Sequence, residues 1–377
     1  MSKLVSVCHI TSVHNRYDIR IFIKQCTSLQ KSKKFNTHLI VSDGKKNEIK
    51  NHVQILDVGI AKNRFERMFK ISQKIYLEAL RLDSHIYHIH DPELIPLGIK
   101  LKKIGKKVIF DAHEDIAEDI LTKSWIPFIL RKITSIFFGF YGSYALKKFD
   151  FIITATSFIR DKYIKINSNT LDINNYPILE EFNNINSWSN RNDIAVYIGV
   201  ISRRRGIIEI IESYSNLSKF HFVIAGQFEN SKIEKEVVEN KNWHNIEYKG
   251  FVGRRKIIEM LNTSKVGFQI VESLNSYQDA IPIKMLEYMA AGIPVICSNM
   301  NILSKIINDN KCGIILKETN KEEIRKSLDY LLKNPNIAKE MGKNGRQKIL
   351  KDWNWECEAS KLLNLYDNLN YENNSNY

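Results

Sequence analysis

The chain is constrained most by a rhythm that occurs twice. Short apolar runs of buried-strand type alternate with longer segments of helical pattern. In the first series, strands are expected at 4–10, 37–42, 53–58, 85–90, 107–112 and 150–156, with helices at 21–31, 64–82, 92–104 and 157–166. The second series starts at Asp193, with strands at 195–200, 220–225, 246–248, 266–271 and 294–298 and a helix at 207–215. Strands that take turns with helices imply parallel sheets covered on both faces, because a parallel pair needs a long crossover. Ligands of such sheets bind beyond the carboxyl ends of the strands. Residues 167–191 hold many Asn and Ser and few apolar residues after Pro177, which reads as a linker. The 377 residues suffice for two domains of roughly 150–200 residues each. The division expected is 1–187 and 188–355, followed by a terminal helix. That helix is expected to pack through Trp355, Leu362, Leu363 and Tyr366 and to fray over 368–377. No short fixed period is present, which disfavours a solenoid.

The formal net charge is +14. It favours anionic partners, namely nucleotides, pyrophosphate lipids, acidic membrane surfaces or nucleic acid, without choosing among them. Cys8, Cys26, Cys297, Cys312 and Cys357 are scattered and form no C-x-x-C, so neither a zinc site nor a disulfide framework is indicated. A reducing cytosol fits. There is no signal-peptide pattern and no apolar run of about 18 residues, so a cytoplasmic protein without a transmembrane helix is expected. G-x-S-x-G, H-E-x-x-H and Walker patterns are absent, which leaves acyl transfer, zinc hydrolysis and NTP hydrolysis without support.

Residues 279–298, DAIPIKMLEYMAAGIPVICS, join a short helix directly to a strand. Pro282 suits the helix start, where its missing N–H costs nothing. Gly292 suits the left-handed position just past the end. The first turn of a helix offers unpaired N–H groups and a partial positive charge, so the amides at Ile283 and Met285 suit a phosphate. Lys284 adds a full charge in that turn. Glu287 lies three residues on, shares the Lys284 face, and can reach past a phosphate to the hydroxyls of a ribose. The competing reading is a surface Lys–Glu pair on an ordinary helix. Ser202-Arg203-Arg204-Arg205-Gly206 is a basic loop between a strand and a helix, and reads either as a diphosphate clamp or as a solvated turn. Arg204, Arg205 and Gly206 are its candidates, with the choice between Arg203 and Arg204 as second cation left open.

In the first series the polar residues gather at strand ends. His14, Arg16, Asp18 and Arg20 follow the first strand, His90 and Asp91 a later one, and His113, Glu114 and Asp115 another. Each group alone reads as a cap or a solvated loop; three together at carboxyl ends point to a shared cleft.

The run P-x-K-x-x-E-Y-M-A-A-G-I-P-V-I resembles the C-terminal signature of retaining glycosyltransferases of family 4. TSVHNRYDIRIF, HIHDPELIPLG, VIFDAHED and NNYP resemble further segments of that family, in a branch that makes bacterial surface polysaccharides. The resemblance implies an α/β protein of the GT-B fold: two Rossmann-like domains with parallel sheets facing a central cleft, and a C-terminal helix, about 356–377, crossing back to the acceptor-binding N-terminal domain. It implies that Glu287 binds the ribose of a nucleotide sugar and that the turn before it binds the diphosphate. Asp279 stands at a sugar-facing position usually held by Glu, and Arg205-Gly206 stands where relatives carry Lys-Gly. His113 matches a histidine near the anomeric carbon, so His113 and Glu287 are the expected catalytic residues. His14, Asp18, Arg20, His90 and Asp91 are expected on the acceptor side, and Gly250-Phe251-Val252 near the base. The implied reaction moves a hexose or amino-hexose from a UDP- or GDP-sugar to a polyprenyl-diphosphate-linked glycan in O-antigen, capsule or exopolysaccharide biosynthesis. It proceeds with retention, without metal or cofactor, and at the inner membrane surface. Nucleic acid is not an expected partner, because the basic residues are scattered. The alternatives are a GT-B sugar-nucleotide epimerase or phosphorylase, and a non-enzymatic anion- or nucleic-acid-binding protein.

Residues 125–146 form a strongly apolar, aromatic stretch flanked by Lys123, Lys147 and Lys148 and punctuated by Arg131 and Lys132. Such a helix lies in a membrane interface or packs partly in the core, and the two readings are balanced.

Overall fold

The computed structural model describes residues 4–114, 120–121, 127–214, 220–272 and 281–374. The chain divides into two compact units, Met1–Asn175 with Glu358–Tyr377, and Tyr176–Cys357. The first break falls inside the Asn-rich stretch at 167–191.

The first unit holds an eight-stranded sheet of β1 (Val5–Ile10), β2 (Phe35–Val41), β3 (Glu48–Lys50), β4 (Val53–Asp57), β5 (Ile86–Ile89), β6 (Lys107–Ala112), β7 (Phe151–Thr154) and β8 (Thr170–Asp172). Its order is β3-β4-β2-β1-β5-β6-β7-β8, parallel except for the edge pair β3–β4. β3 and β8 were not expected; three residues each are too few to show a period of two. Alternate residues serve opposite faces. Cys8, Ile10, Ile40, Tyr87, Ile89, Val108 and Phe110 enter one core, beneath helices that include Ser72–Leu82, Ile95–Lys103 and Phe128–Leu146. Leu39, Val41, Val53 and Ile55 enter another, with Ile21, Phe22 and Cys26 of the π-helical segment Ile19–Cys26. Chain order reverses between neighbours β1 and β5.

The second unit holds six parallel strands, β9 (Ile194–Ile198), β10 (His221–Ala225), β11 (Glu247–Tyr248), β12 (Val266–Gln269), β13 (Val295–Cys297) and β14 (Gly313–Ile315), in the order β11-β10-β9-β12-β13-β14. Val196 and Ile198 face one core while Ala195 and Tyr197 face the other. Here the reversal lies between β9 and β12. Each unit is therefore the doubly wound α/β layer that the alternation implies, with its reversal point marking where a ligand would sit.

The terminal helix runs over Trp355–Asn374. Fraying from 368 is thus overturned for the described residues. Leu365, Tyr366 and Leu369 are buried, and Glu358 accepts a hydrogen bond from the Asn174 amide at 2.8 Å. Those contacts keep the helix folded beyond its polar sequence. No described helix is long and apolar enough to cross a membrane.

Candidate functional site

In the second unit, the loop after β9 and the helix Ile283–Ala290 supply two cations to one spot. The arginine run coils as a 3-10 turn over Arg203–Arg205 and ends at Gly206 with φ +64°. A Cβ at Gly206 would stand 2.1 Å from Ile270 Cγ2, so the loop is pressed onto the residue after β12. The turn separates the three arginines. Arg203 pairs with Glu236, and Arg204 is solvent-exposed. Arg205 lies beside the Tyr197 side chain and beside Lys284. The open choice of second cation therefore falls on neither Arg203 nor Arg204: the companion of Arg205 is Lys284.

The helix Ile283–Ala290 is set down tightly. Met285, Leu286, Tyr288 and Met289 are buried, and the Tyr288 ring covers Gly267 so closely that a Cβ there would lie 2.4 Å away. Its last carbonyls are bound by arginines, Ala290 by Arg346 and Ala291 by Arg191, which suits the negative end of a helix. Gly292 takes φ +69° as expected. Lys284 lies over the Tyr197 ring, its Nζ 4.2 Å from the centroid. That nitrogen is buried and has no hydrogen-bond partner among the described residues. Burial, and then the Arg205 charge, push its pKa well below the ordinary lysine value. A buried amine beside a guanidinium regains its proton most readily when an anion binds next to both groups.

Two expectations on this helix change. The Met285 amide donates to the Pro282 carbonyl at 3.0 Å, so it is not an open phosphate donor. Glu287 is buried and ion-paired with Arg254, which also grips Glu181 at 2.6 Å. The carboxylate is held by Arg254 rather than by Lys284, although both lie on the same helix face. Arg254 escaped the sequence reading because its partners are 73 and 33 residues away. Asp279 lies outside the described residues. Ile283 is partly exposed at the start of the helix.

In the first unit, residues from β1, β5 and β6 meet on one sheet face beside the reversal point. The Asp111 carboxylate takes Arg20 Nε at 2.9 Å and Arg20 Nη2 at 2.7 Å, with Gln25 Nε2 at 2.8 Å. Arg20 also donates to the Ile173 carbonyl at 2.6 Å. It is a buried strut, not an acceptor-facing group. Asp91 is likewise internal, accepting from Thr11 Oγ1 at 2.8 Å and the Ser12 amide at 2.6 Å. Asp18 caps the helical segment by accepting from the amides of Arg20 and Ile21. His14 Nδ1 approaches Asp18 at 3.7 Å and His14 Nε2 approaches Asp91 at 3.4 Å. Burial pulls His14 down, but both carboxylates outweigh it and raise its pKa; Asp18 in turn, despite its burial, is held at about 2 by His14 and the Ile21 amide. His14 and His113 keep side-chain exposures of 30% and 22%, with ring centroids 4.9 Å apart. They are the members of the group that a ligand can touch, whereas His90 is fully enclosed.

Behind them runs a chain that the sequence reading missed. Asp111 Oδ2 lies 3.3 Å from His90 Nδ1, so that nitrogen carries the proton. Burial pushes His90 down to about 3 and keeps it neutral, which leaves Nε2 as an acceptor for His9 Nδ1 at 2.9 Å. His9, buried and also neutral, then accepts at Nε2 from the Tyr366 hydroxyl at 3.3 Å. The Tyr366 oxygen accepts from His88 Nδ1 at 2.8 Å, and His88 Nε2 ends the chain buried without a partner among the described residues. Every donor points toward Asp111. His90 Nδ1, Asp111 Oδ2 and His113 Nε2 lie 3.3 to 3.4 Å apart, a spacing that a metal ion would accept. Arg20 and Gln25 already occupy the lone pairs of Oδ2, which opposes that use. Asp115 lies outside the described residues.

Known proteins place this architecture. Residues 180–348 match the family model Glycosyl transferases group 1. An uncharacterized glycosyltransferase of Methanocaldococcus jannaschii is 22% identical over 243 residues, 60% of this chain and 61% of that protein. A second protein of that organism, also described as an uncharacterized glycosyltransferase, is 25% identical, covering 61% of this chain and 63% of the relative. The chain thus spans about three fifths of the length of these relatives. Among solved structures, a sucrose-phosphate synthase from Thermosynechococcus elongatus superposes with TM-score 0.76 at 16% identity, covering 98% of this chain and 100% of that one. An Anabaena protein in complex with UDP-glucose superposes with TM-score 0.71 at 9% identity, covering 96% and 99%. The fold is GT-B, and it is over residues 180–348 that this chain resembles the group 1 glycosyltransferases.

Proposed function

We propose that the protein is a retaining glycosyltransferase that moves a hexose or amino-hexose from a UDP- or GDP-sugar to a lipid-linked glycan of a bacterial surface polysaccharide. The single observation that carries the donor half is the buried Lys284 Nζ beside Arg205, with no acceptor for that nitrogen among the described residues. A nucleotide diphosphate supplies that acceptor. Glu287, held by Arg254, is at the right remove along the helix to accept from ribose hydroxyls. UDP-glucose in a structural neighbour supports a nucleotide-sugar donor.

In the reaction the bond from the anomeric carbon to the diphosphate oxygen breaks. The acceptor hydroxyl oxygen bonds to that carbon from the face of departure, and its proton passes to the leaving phosphate. Arg205 and Lys284 take the role of stabilising the developing negative charge, so the reading requires no metal or cofactor. His113 and His14, the partly exposed pair of the first unit, are assigned to sugar hydroxyls. The carrier lipid places the work at the cytoplasmic side of a membrane.

The test is a thermal-shift panel of UDP-, GDP- and other nucleotide sugars, followed by NMR of the product formed from the stabilising donor and a polyprenyl-linked acceptor. A selective rise in melting temperature and an axial-retained linkage are expected. Conversion of the donor alone into an epimer would replace transfer by epimerisation.

A further inference from the structure

We infer that the helix Phe128–Leu146 is a docking surface for an anionic lipid bilayer, lying in the plane of the interface. The purpose of such docking rests on the lipid-carried acceptor proposed above; the docking itself rests on this helix alone. Ser135, Gly142, Ala145 and Leu146 turn inward and are buried. Ile129 and Phe140 are each 78% exposed, and Ile136 and Tyr144 are more than half exposed. At 100° per residue, these four with Lys132 and Lys147 fall within about a third of the helix circumference. The result is an apolar strip about 28 Å long with a cation near each end.

Two features select a bilayer as the occupant. No Asp or Glu occurs from Phe128 to Phe149, while Lys132, Lys147 and Lys148 are exposed around the strip. Lys148 donates to the Tyr144 hydroxyl at 2.6 Å, and Lys103 of the neighbouring helix adds its charge beside the same ring. An anionic headgroup layer over an acyl boundary matches lysines around exposed Ile and Phe. A second copy matches poorly. Two such helices packed face to face, parallel or antiparallel, bring the lysines at their ends together with no carboxylate to neutralise them. One face is embedded in the unit, so the helix lies on a membrane rather than crossing it, consistent with its being too weakly apolar for a span.

The experiment is cosedimentation of the full chain with vesicles of phosphatidylcholine alone or doped with phosphatidylglycerol, at low and high salt. The protein should pellet only with the doped vesicles at low salt. Ile136→Asp with Phe140→Asp should lower the bound fraction at least tenfold, as both charges must enter the interface. Lys147→Glu should weaken binding roughly fivefold or more. These positions are solvent-facing, so circular dichroism and the nucleotide-sugar thermal shift should stay at wild-type values. Equal pelleting by the double variant, or no pelleting by the wild type, overturns the docking surface. So does a dimer in sedimentation velocity without lipid that the double variant abolishes, since the occupant is then a second copy. Vesicle binding without any nucleotide-sugar shift leaves the docking surface standing and removes the donor reading; the converse removes the docking surface alone.

Discussion

Lys284 shows how a single residue can be set against the fold. Its Nζ is buried with no acceptor among the described residues, and burial and Arg205 push its pKa down. The folded pKa therefore lies below the unfolded one, the unfolded chain binds more protons in that window, and stability rises with pH across it. Lys284→Met keeps the length and removes the charge. It should raise the melting temperature of the ligand-free protein by the equivalent of about 1–3 kcal/mol, while donor affinity falls roughly 30-fold or more by calorimetry. Unchanged affinity would sink the anion site. Glu287 behaves oppositely, because it is one of two carboxylates on Arg254. Glu287→Ala leaves a largely buried guanidinium with half its charge unmatched and should cost about 3–5 kcal/mol in chemical denaturation. Glu287→Gln retains a hydrogen-bond acceptor for Arg254, so it should fold and still lose about tenfold in donor affinity. Only the glutamine variant separates ribose binding from folding.

At the scale of elements, the second unit holds its cations by close backbone approach. The turn Arg203–Arg205 ends at Gly206 against Ile270, and the helix Ile283–Ala290 sits on β12 through Tyr288 over Gly267. Both elements flank the β9–β12 reversal, so small displacements of either move Arg205 away from Lys284. Gly206→Ala imposes a side chain at φ +64° and a 2.1 Å clash with Ile270 Cγ2. A loss of about 2–4 kcal/mol is expected in urea unfolding, together with weaker donor binding even though no ligand-facing atom is altered. Wild-type affinity in that variant would mean that the turn does not position Arg205.

For the whole molecule, acid should strike the two units unequally. The first unit buries His9, His88 and His90 as neutral imidazoles, with His90 near 3 against an ordinary 6.5. Between those values the unfolded chain takes up protons that the folded unit refuses, so its stability falls as pH drops below about 6.5. The loss is on the order of several kcal/mol. Hydrogen exchange followed by mass spectrometry should find protection lost first over 5–175 and 358–374, with 176–357 persisting. Simultaneous loss in both units would show that the histidines are not the weak point.

The periodicity of the chain determined a good deal unaided. Alternating strand and helix patterns specified two doubly wound layers, and the helix–strand junction at 279–298 was legible down to Pro282 and Gly292, because period and turn chemistry are local properties. Which charges would act was decided only in three dimensions. Arg203 goes to Glu236, Arg20 to Asp111 and Glu287 to Arg254, although each sits in a motif that advertises binding. His9, His88 and Asp111 were hidden inside apolar strands, where the i, i+2 spacing of His88 with His90 and of Asp111 with His113 was the one available signal. Tyr366 meets His88 across 278 positions of sequence. Local pattern states what each segment becomes, but the partner of a buried charge is chosen by whatever the folded chain brings beside it, since in low dielectric an unmatched charge costs more than distance along the sequence can register.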